Sequence, residues 1–185
     1  MVNCYGGKEL ANAFRTVRNN TIKVAEEIPE SKYEFVAAPN VRSVRQMLTH
    51  IALATRLFEG VHKKGLTSLA GFDFLGTFER FKAEEAKSRS KAEILELLHN
   101  DGEEFAVWLE TLTPEFLAEM VTDVDGKTAK SRFERILGAK EHEMHHRAQL
   151  MLIQRQLGIV PHLTRQMEER MAQMRAATRP TAASA

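Results

Sequence analysis

Residues 128–158 have the sequence TAKSRFERILGAKEHEMHHRAQLMLIQRQLG, the strongest helical pattern in this chain of 185 residues. One row of side chains recurs every three or four positions, as the buried face of a helix does. Its members are Phe133, Ile136, Ala139, His142, His146, Leu150, Ile153 and Leu157. Gly158 is placed like the glycine that follows a helix end. The pattern predicts a long helix, from near Thr128 to Gly158, with two histidines on its inward face.

The spacing of His142 and His146 favours a metal site. Because they are four positions apart, both imidazoles leave the same side of a helix. This allows two ring nitrogens to bind one metal ion at about 2.0–2.1 Å each. Two imidazoles buried side by side need either partners for four ring nitrogens or a cation between them. We therefore favour a metal site over a purely structural histidine pair.

A third histidine lies on the inward face of another predicted helix, over about residues 40–62. Its row is Met47, His50, Ala54, Leu57 and Val61, at steps of three and four. His50 is thus a candidate third ligand for the same ion. Three neutral imidazoles leave positions open for water or substrate, which distinguishes catalytic from structural zinc sites.

The remaining segments predict an all-α fold, a four-helix bundle with a crossover connection and an added C-terminal helix. A first helix over about residues 8–28 ends before Pro29. The third begins with the capping-box pattern of Ser90-Lys91-Ala92-Glu93 and ends at Thr113-Pro114. Residues 64–89 are predicted to be a long crossover with a short helical piece, packed on the bundle through phenylalanines. Asp123-Val124-Asp125-Gly126 predicts a turn or a small hairpin.

We expect one domain over residues 1–185. Its bundle core spans about residues 8–158, and the added helix spans about 161–176. A disordered tail is predicted for residues 177–185.

Composition narrows the classes of partner. The net charge is +1, with 26 basic and 25 acidic residues interleaved along the chain, a balance that offers no electrostatic footprint for nucleic acid. No apolar stretch approaches the roughly 20 residues that cross a bilayer, and no signal peptide is apparent. The single cysteine, Cys4, excludes an internal disulfide framework. We expect a cytoplasmic protein without nucleic-acid or membrane partners.

The other histidines are not expected to bind the metal. His145 points about 100° away from His146 around the helix, which predicts a surface position or one behind the ligands. Surface positions are also predicted for His62, His99, His162, Arg15 and Arg18.

Two motifs make the chain resemble the DinB/YfiT-like superfamily. They are Met47-Leu48-Thr49-His50-Ile51-Ala52 and His142-x-x-x-His146-Arg147-Ala148-Gln149-Leu150. By helix order and histidine placement, the resemblance covers about residues 8–158. Many members have glycine at the position of Ala148, a departure that leaves helix formation intact because alanine favours helices.

The resemblance implies a metal-dependent four-helix bundle of characteristic crossover topology. Carried over by position, the family's three metal ligands fall on His50, His142 and His146. Members include bacillithiol and mycothiol S-transferases and mycothiol-dependent maleylpyruvate isomerases, so a small-molecule substrate such as a low-molecular-weight thiol is implied. A homodimer is implied as well. Imidazole ligands suit several divalent ions, of which we expect zinc first and nickel second.

Three functions remain open. The first is an enzyme whose metal activates a thiol or water, as in a thiol S-transferase, an isomerase or a hydrolase. The second is a zinc protease, because His142-Glu143-x-x-His146 matches H-E-x-x-H with Glu143 as the base. The third is a non-enzymatic metal-binding or stress-response protein with the same three histidines.

The protease is the weakest of these hypotheses. Its third ligand would be sought at Glu168 or Glu169, and His50 would have no role. No predicted strand edge could hold a peptide substrate. The roles of Glu143, His145 and Arg147 stay open, and Arg147 could equally pair with a neighbouring helix or subunit.

Overall fold

A computed structural model describes residues 5–178. Within this range the chain forms seven α-helices and one two-stranded hairpin. The elements are α1 (Gly7–Glu27), α2 (Val44–Lys63), α3 (Phe74–Ala86), α4 (Lys91–Glu110), α5 (Pro114–Ala118), β1 (Met120–Thr122), β2 (Ala129–Ser131), α6 (Arg132–Gln156) and α7 (His162–Ala177).

The four long helices form the bundle, which confirms the predicted fold class. Both α1 and α2 pack against α4 and α6. One core cluster includes Ile51 of α2, Leu98 of α4 and Leu150 of α6. A second includes Phe14 of α1 and Phe105 of α4, whose rings meet edge to face at 4.9 Å. The helix that bears His50, α2, therefore packs against the helix that bears His142 and His146, α6.

Side-chain caps make two helices start later than the apolar pattern predicts. The Ser43 hydroxyl accepts a hydrogen bond from the Gln46 amide, and α2 begins at Val44 instead of near residue 40. Ser131 caps α6 in the same way, through the amide of Glu134. Residues 129–131 are paired with β1, so α6 begins at Arg132 instead of near Thr128. The predicted hairpin is confirmed, with Gly126 at a φ of 68° in its turn.

The crossover is more helical than predicted. Its helix α3 has 13 residues and is capped by the Asp73 carboxylate, which accepts from the Gly76 amide. Phe72 and Phe74 pack against a small cluster with Leu69 and Val121 at its centre. The short helix α5 was not predicted. Thr113 caps it and a proline occupies its first turn, a position that suits proline.

The C-terminal helix α7 is present, and its histidine, His162, is buried. Of the tail predicted for residues 177–185, Ala177 is the last residue of α7. Positions 179–185 lie outside the described residues, as does Cys4. Over residues 5–178, every helix is too short or too polar to cross a membrane.

Candidate metal centre

The bundle brings His50, His142 and His146 together. One ring nitrogen from each lies within 4.8 Å of the other two. Nε2 of His50 is 3.0 Å from Nε2 of His142, and the rings of His142 and His146 are 4.5 Å apart between centroids. All three side chains are half-buried. The helical spacing of the α6 pair, the inward row of α2 and the packing of these two helices together assemble the cluster.

The donor set fits a divalent ion. Two nitrogens bound to one tetrahedral ion are separated by about 3.3 Å, close to the 3.0 Å between Nε2 of His50 and Nε2 of His142. Nδ1 of His142 is buried and has no hydrogen-bond partner among the described residues. Nε2 of the same ring is the nitrogen that lies close to His50, so Nε2 is the atom placed to bind an ion. Which ion occupies such a site is not fixed by three imidazoles.

Burial keeps His142 and His146 neutral, as metal ligands must be. Burial, followed by the neighbouring charges of His146 and His50, lowers the pKa of His142 to about 3. Burial also lowers the pKa of His146, against a smaller opposite effect from its hydrogen bond with Gln149. At neutral pH both rings therefore have a free lone pair.

Two side chains orient the imidazoles: Glu85, which the sequence did not single out, and Gln149, which belongs to the second motif of the resemblance. Glu85 of α3 accepts a hydrogen bond from Nδ1 of His50 at 2.7 Å and another from Nε of Arg42 at 2.6 Å. Gln149 accepts from Nδ1 of His146 at 2.8 Å. With Nδ1 as the donor, Nε2 of each histidine is the nitrogen left to bind a metal.

Glu85 is held in its charged form. Burial alone raises the pKa of its carboxyl, but the hydrogen bonds from His50 and Arg42 together outweigh burial, and the net pKa is lowered. Gln149 stands three positions after His146, a spacing that puts the two side chains on one side of α6. Nothing in the periodicity of the crossover points to Glu85.

Glu143 is directed away from the three histidines. Its side chain is 2% exposed, and Nη2 of Arg18 on α1 lies 2.9 Å from it. Nη1 of Arg18 also donates to the backbone oxygen of Leu98 at 2.7 Å. The prediction that Arg18 is an ordinary solvated charge is therefore wrong. It failed because the partner of Arg18, Glu143, lies 125 positions away in the sequence.

Of the four other histidines with a predicted position, two lie where they are predicted and two do not. His145 and His99 are exposed, as predicted. His62 and His162 are buried and not at the surface. His62 receives a hydrogen bond from the fully buried Arg132, and His162 contacts the Asn20 side chain. Both were misplaced because polar residues at helix ends are more often exposed.

Arg147 contacts a neighbouring helix. It is half-buried, and Nη1 donates to the backbone oxygen of Val17 on α1 at 3.2 Å. Arg147 therefore has a contact with a neighbouring helix, as one of the two hypotheses for it predicts.

The candidate carboxylates of the protease hypothesis, Glu168 and Glu169, are exposed on α7.

A cleft of about 920 Å³ opens beside the three histidines, between α2 and α3. Its apolar wall consists of Val41, Met47, Ala54, Leu57, Phe58, Phe78, Phe81 and Ala86. Arg42 and Lys82 also line it, together with the buried Glu85. The cleft is within the usual size range for small-molecule sites.

Comparison with known proteins gives relatives of the same architecture. The uncharacterized protein YjoA of Bacillus subtilis (strain 168) is 26% identical over 152 residues, which cover 81% of this chain and 90% of YjoA. The crystal structure of this DinB-like protein superposes with a TM-score of 0.61 at 23% identity, covering 81% of this chain and 92% of YjoA.

A second Bacillus subtilis structure, YfiT, is described as a probable metal-dependent hydrolase with an unusual four-helix bundle topology. It superposes with a TM-score of 0.64 at 18% identity, covering 83% of this chain and 88% of YfiT. The model of the DinB family matches residues 1–178. The chain therefore belongs to the DinB family.

Proposed function

We propose that this protein is a metal-dependent enzyme in which His50, His142 and His146 hold one divalent ion. The convergence of one ring nitrogen from each histidine within 4.8 Å carries this proposal. Zinc is the first candidate and nickel the second, since imidazole ligands suit both. The DinB-family match and the description of YfiT as a probable metal-dependent hydrolase support it.

The reaction we propose is attack by a thiol or water on a small-molecule substrate, as in a thiol S-transferase or a hydrolase. A divalent ion with an open position would lower the pKa of a bound thiol or water and so supply the nucleophile at neutral pH. Glu85 and Gln149 hold the rings of His50 and His146 in the orientation that ligation requires. The apolar wall of the cleft would contact the apolar part of a substrate.

The structure gives no support to the protease hypothesis. A protease of the H-E-x-x-H type needs its glutamate beside the metal, as the general base. Here Glu143 is paired with Arg18 inside the bundle. The non-enzymatic alternative keeps the same three ligands and differs only in lacking turnover, so activity measurements decide between them.

The test compares metal-free, zinc-loaded and nickel-loaded protein in a thiol-transfer assay with cysteine or glutathione and the electrophile monochlorobimane. Hydrolysis of 4-nitrophenyl acetate is measured in parallel. We expect a metal-loaded form to exceed both the metal-free protein and the His142→Ala variant in at least one assay. Retained metal without turnover in any assay would favour the non-enzymatic protein.

A homodimer is proposed on the resemblance alone. Light scattering after size exclusion, on the metal-loaded protein, distinguishes about 42 kDa from the 21.0 kDa of one chain.

A further inference from the structure

One face of α3 is directed towards the cleft and the histidines. Phe74, Phe78, Phe81 and Glu85 follow one another at steps of four, three and four, so they share one side of the helix. Each end of this row is anchored. Phe74 packs against the cluster around Leu69 and Val121, and Glu85 binds His50.

The two middle residues of the row, Phe78 and Phe81, have a different role. Neither belongs to a hydrophobic core cluster within residues 5–178. Phe78 is 51% exposed, and its ring stacks on Phe74 with centroids 6.1 Å apart. Both line the cleft beside the three histidines. Large aromatic side chains left outside the core at a concave site are typical of ligand contacts.

The opposite wall, on α2, is also apolar. Met47, Leu57 and Phe58 line the cleft on the same helix as His50. The apolar surfaces of α2 and α3 thus face one another across a volume of about 920 Å³. A thiol of a few atoms, or water, would leave most of that volume and both aromatic walls unused.

Charge at the cleft favours an anion. Among residues 5–178, Glu85 is the only acidic residue that lines the cleft, and it is paired with Arg42 and with His50. Lys82 is exposed and makes no ion pair with any residue from 5 to 178. Its ammonium group is therefore available to pair with a ligand in the cleft.

From these contacts we propose that the cleft binds an aryl group that carries an anionic substituent. Phe78 and Phe81 contact the ring, and Lys82 attracts the anion. This makes α3 the specificity element of the protein. That the ligand is the substrate of the metal centre rests on the proposed function, whereas the preference for a ring and a negative charge does not.

The experiment measures binding of three probes by titration calorimetry, to zinc-loaded and to metal-free protein. The probes are 4-phenylbutanoate, butanoate, which lacks the ring, and 4-phenylbutan-1-ol, which lacks the charge. We expect 4-phenylbutanoate to bind roughly tenfold or more tightly than either of the others, since a buried ring removes substantial apolar area from water. The preference should hold in both forms of the protein.

Variants assign the preference to residues. Phe78→Ala and Phe81→Ala should each reduce the advantage of 4-phenylbutanoate over butanoate several-fold, and Lys82→Gln should reduce its advantage over the alcohol. Leu75→Ala is the control, because Leu75 lies on the same helix, is 79% exposed and does not line the cleft. In the wild type, the ring should also shift the NMR signal of the Met47 methyl group, a measurement that needs no variant.

Equal binding of the three probes, or a ring preference that Phe78→Ala and Phe81→Ala leave unchanged, would overturn the proposal. Metal content is determined on the same samples. A chain that binds zinc but shows no ring preference contradicts this inference and leaves the metal centre standing. A chain that shows the ring preference but binds no metal contradicts the metal centre and leaves this inference standing.

Discussion

The hydrogen bond from Nδ1 of His50 to Glu85 fixes which nitrogen of this ring can bind a metal. A carboxylate in that position also makes the imidazole a stronger donor. Glu85→Gln keeps an acceptor oxygen but removes the charge. We expect it to weaken zinc affinity by about tenfold to a hundredfold, measured by competition with a chromophoric chelator.

Glu84→Gln is the matched control for Glu85→Gln. Glu84 is the preceding residue on α3, but it pairs with Lys87 and Arg89 and not with a histidine. Its zinc affinity should equal that of the wild type. An unchanged affinity in Glu85→Gln would show that the contact with His50 has no influence on the metal.

The buried pair of Arg18 and Glu143 is the other decisive contact at this scale. Replacing Arg18 by methionine leaves the Glu143 carboxylate buried without its partner, which costs about 3–5 kcal/mol. We expect the free energy of unfolding in urea to fall by that amount. Arg15→Met, on the same helix, removes pairs with the exposed Glu103 and Glu110 and should cost less than about 1 kcal/mol. Equal losses in the two variants would contradict the structural role of Glu143.

The sequence predicts the positions of the three histidines better than it predicts the buried polar contacts around them. His142 and His146 share a face because of their spacing alone, and His50 follows from the row of α2. Glu85 and Arg18 have partners 35 and 125 positions away, which no local pattern encodes. Arg18 was placed at the surface because charged residues are rarely buried unless paired, and its partner was not apparent.

At the scale of elements, a glycine in α4 leaves space for a side chain of the neighbouring helix α1. A Cβ at Gly102 would lie 2.8 Å from Cγ of Arg18, so the missing side chain makes room for the buried arginine. Gly102→Ala should destabilise the protein, although alanine favours helices by about 1 kcal/mol. Gly60→Ala, on α2 with no atom within 4 Å of the added Cβ, should instead stabilise it. Thermal unfolding of both variants checks the opposite signs.

Helix identity was predictable and helix boundaries were less so. The apolar rows predicted α1, α2, α4, α6 and α7, because amphipathic periodicity determines which side faces the core. Starts of α2 and α6 were misplaced by a few residues because Ser43 and Ser131 interrupt an apolar row that continues before them. Most of α3 was missed since three glycines interrupt residues 64–89, and tertiary contacts of Phe72 and Phe74 fix its position.

For the whole molecule, buried neutral histidines predict sensitivity to acid. Burial, with Arg132 and Arg135 adding to it, lowers the pKa of His62 from 6.5 to about 4, and the pKa of His142 is lowered further. Below pH 6.5 the unfolded chain therefore binds more protons than the folded one. We expect the free energy of unfolding of metal-free protein to fall as pH decreases from 6.5 towards 4, with no contribution from these groups above 7.5.

Urea titrations at pH 7.5 and 5.0 measure this effect. His62→Gln should lose part of the difference between the two pH values, whereas His99→Gln, at an exposed position, should retain all of it. A free energy of unfolding that is the same at both pH values in the wild type would contradict the burial of these rings.

The bundle topology explains why three histidines from distant positions meet. Because α2 and α6 pack side by side, residues 92 positions apart face one another. The fold class was predictable from periodicity and from the resemblance. The path of the crossover, which supplies Glu85 and the aromatic wall of the cleft, was not, because loop paths depend on tertiary contacts.

Metal stoichiometry tests the central claim most directly. Metal-free wild type and the His50→Ala, His142→Ala and His146→Ala variants are equilibrated with zinc, dialysed and analysed by mass spectrometry of the bound element, with His99→Ala, at an exposed position on α4, as control. We predict one ion per chain in the wild type and in His99→Ala, and loss of that ion in each of the other three. Absence of bound zinc and nickel from the wild type, or full retention in all three variants, would contradict the three-histidine site.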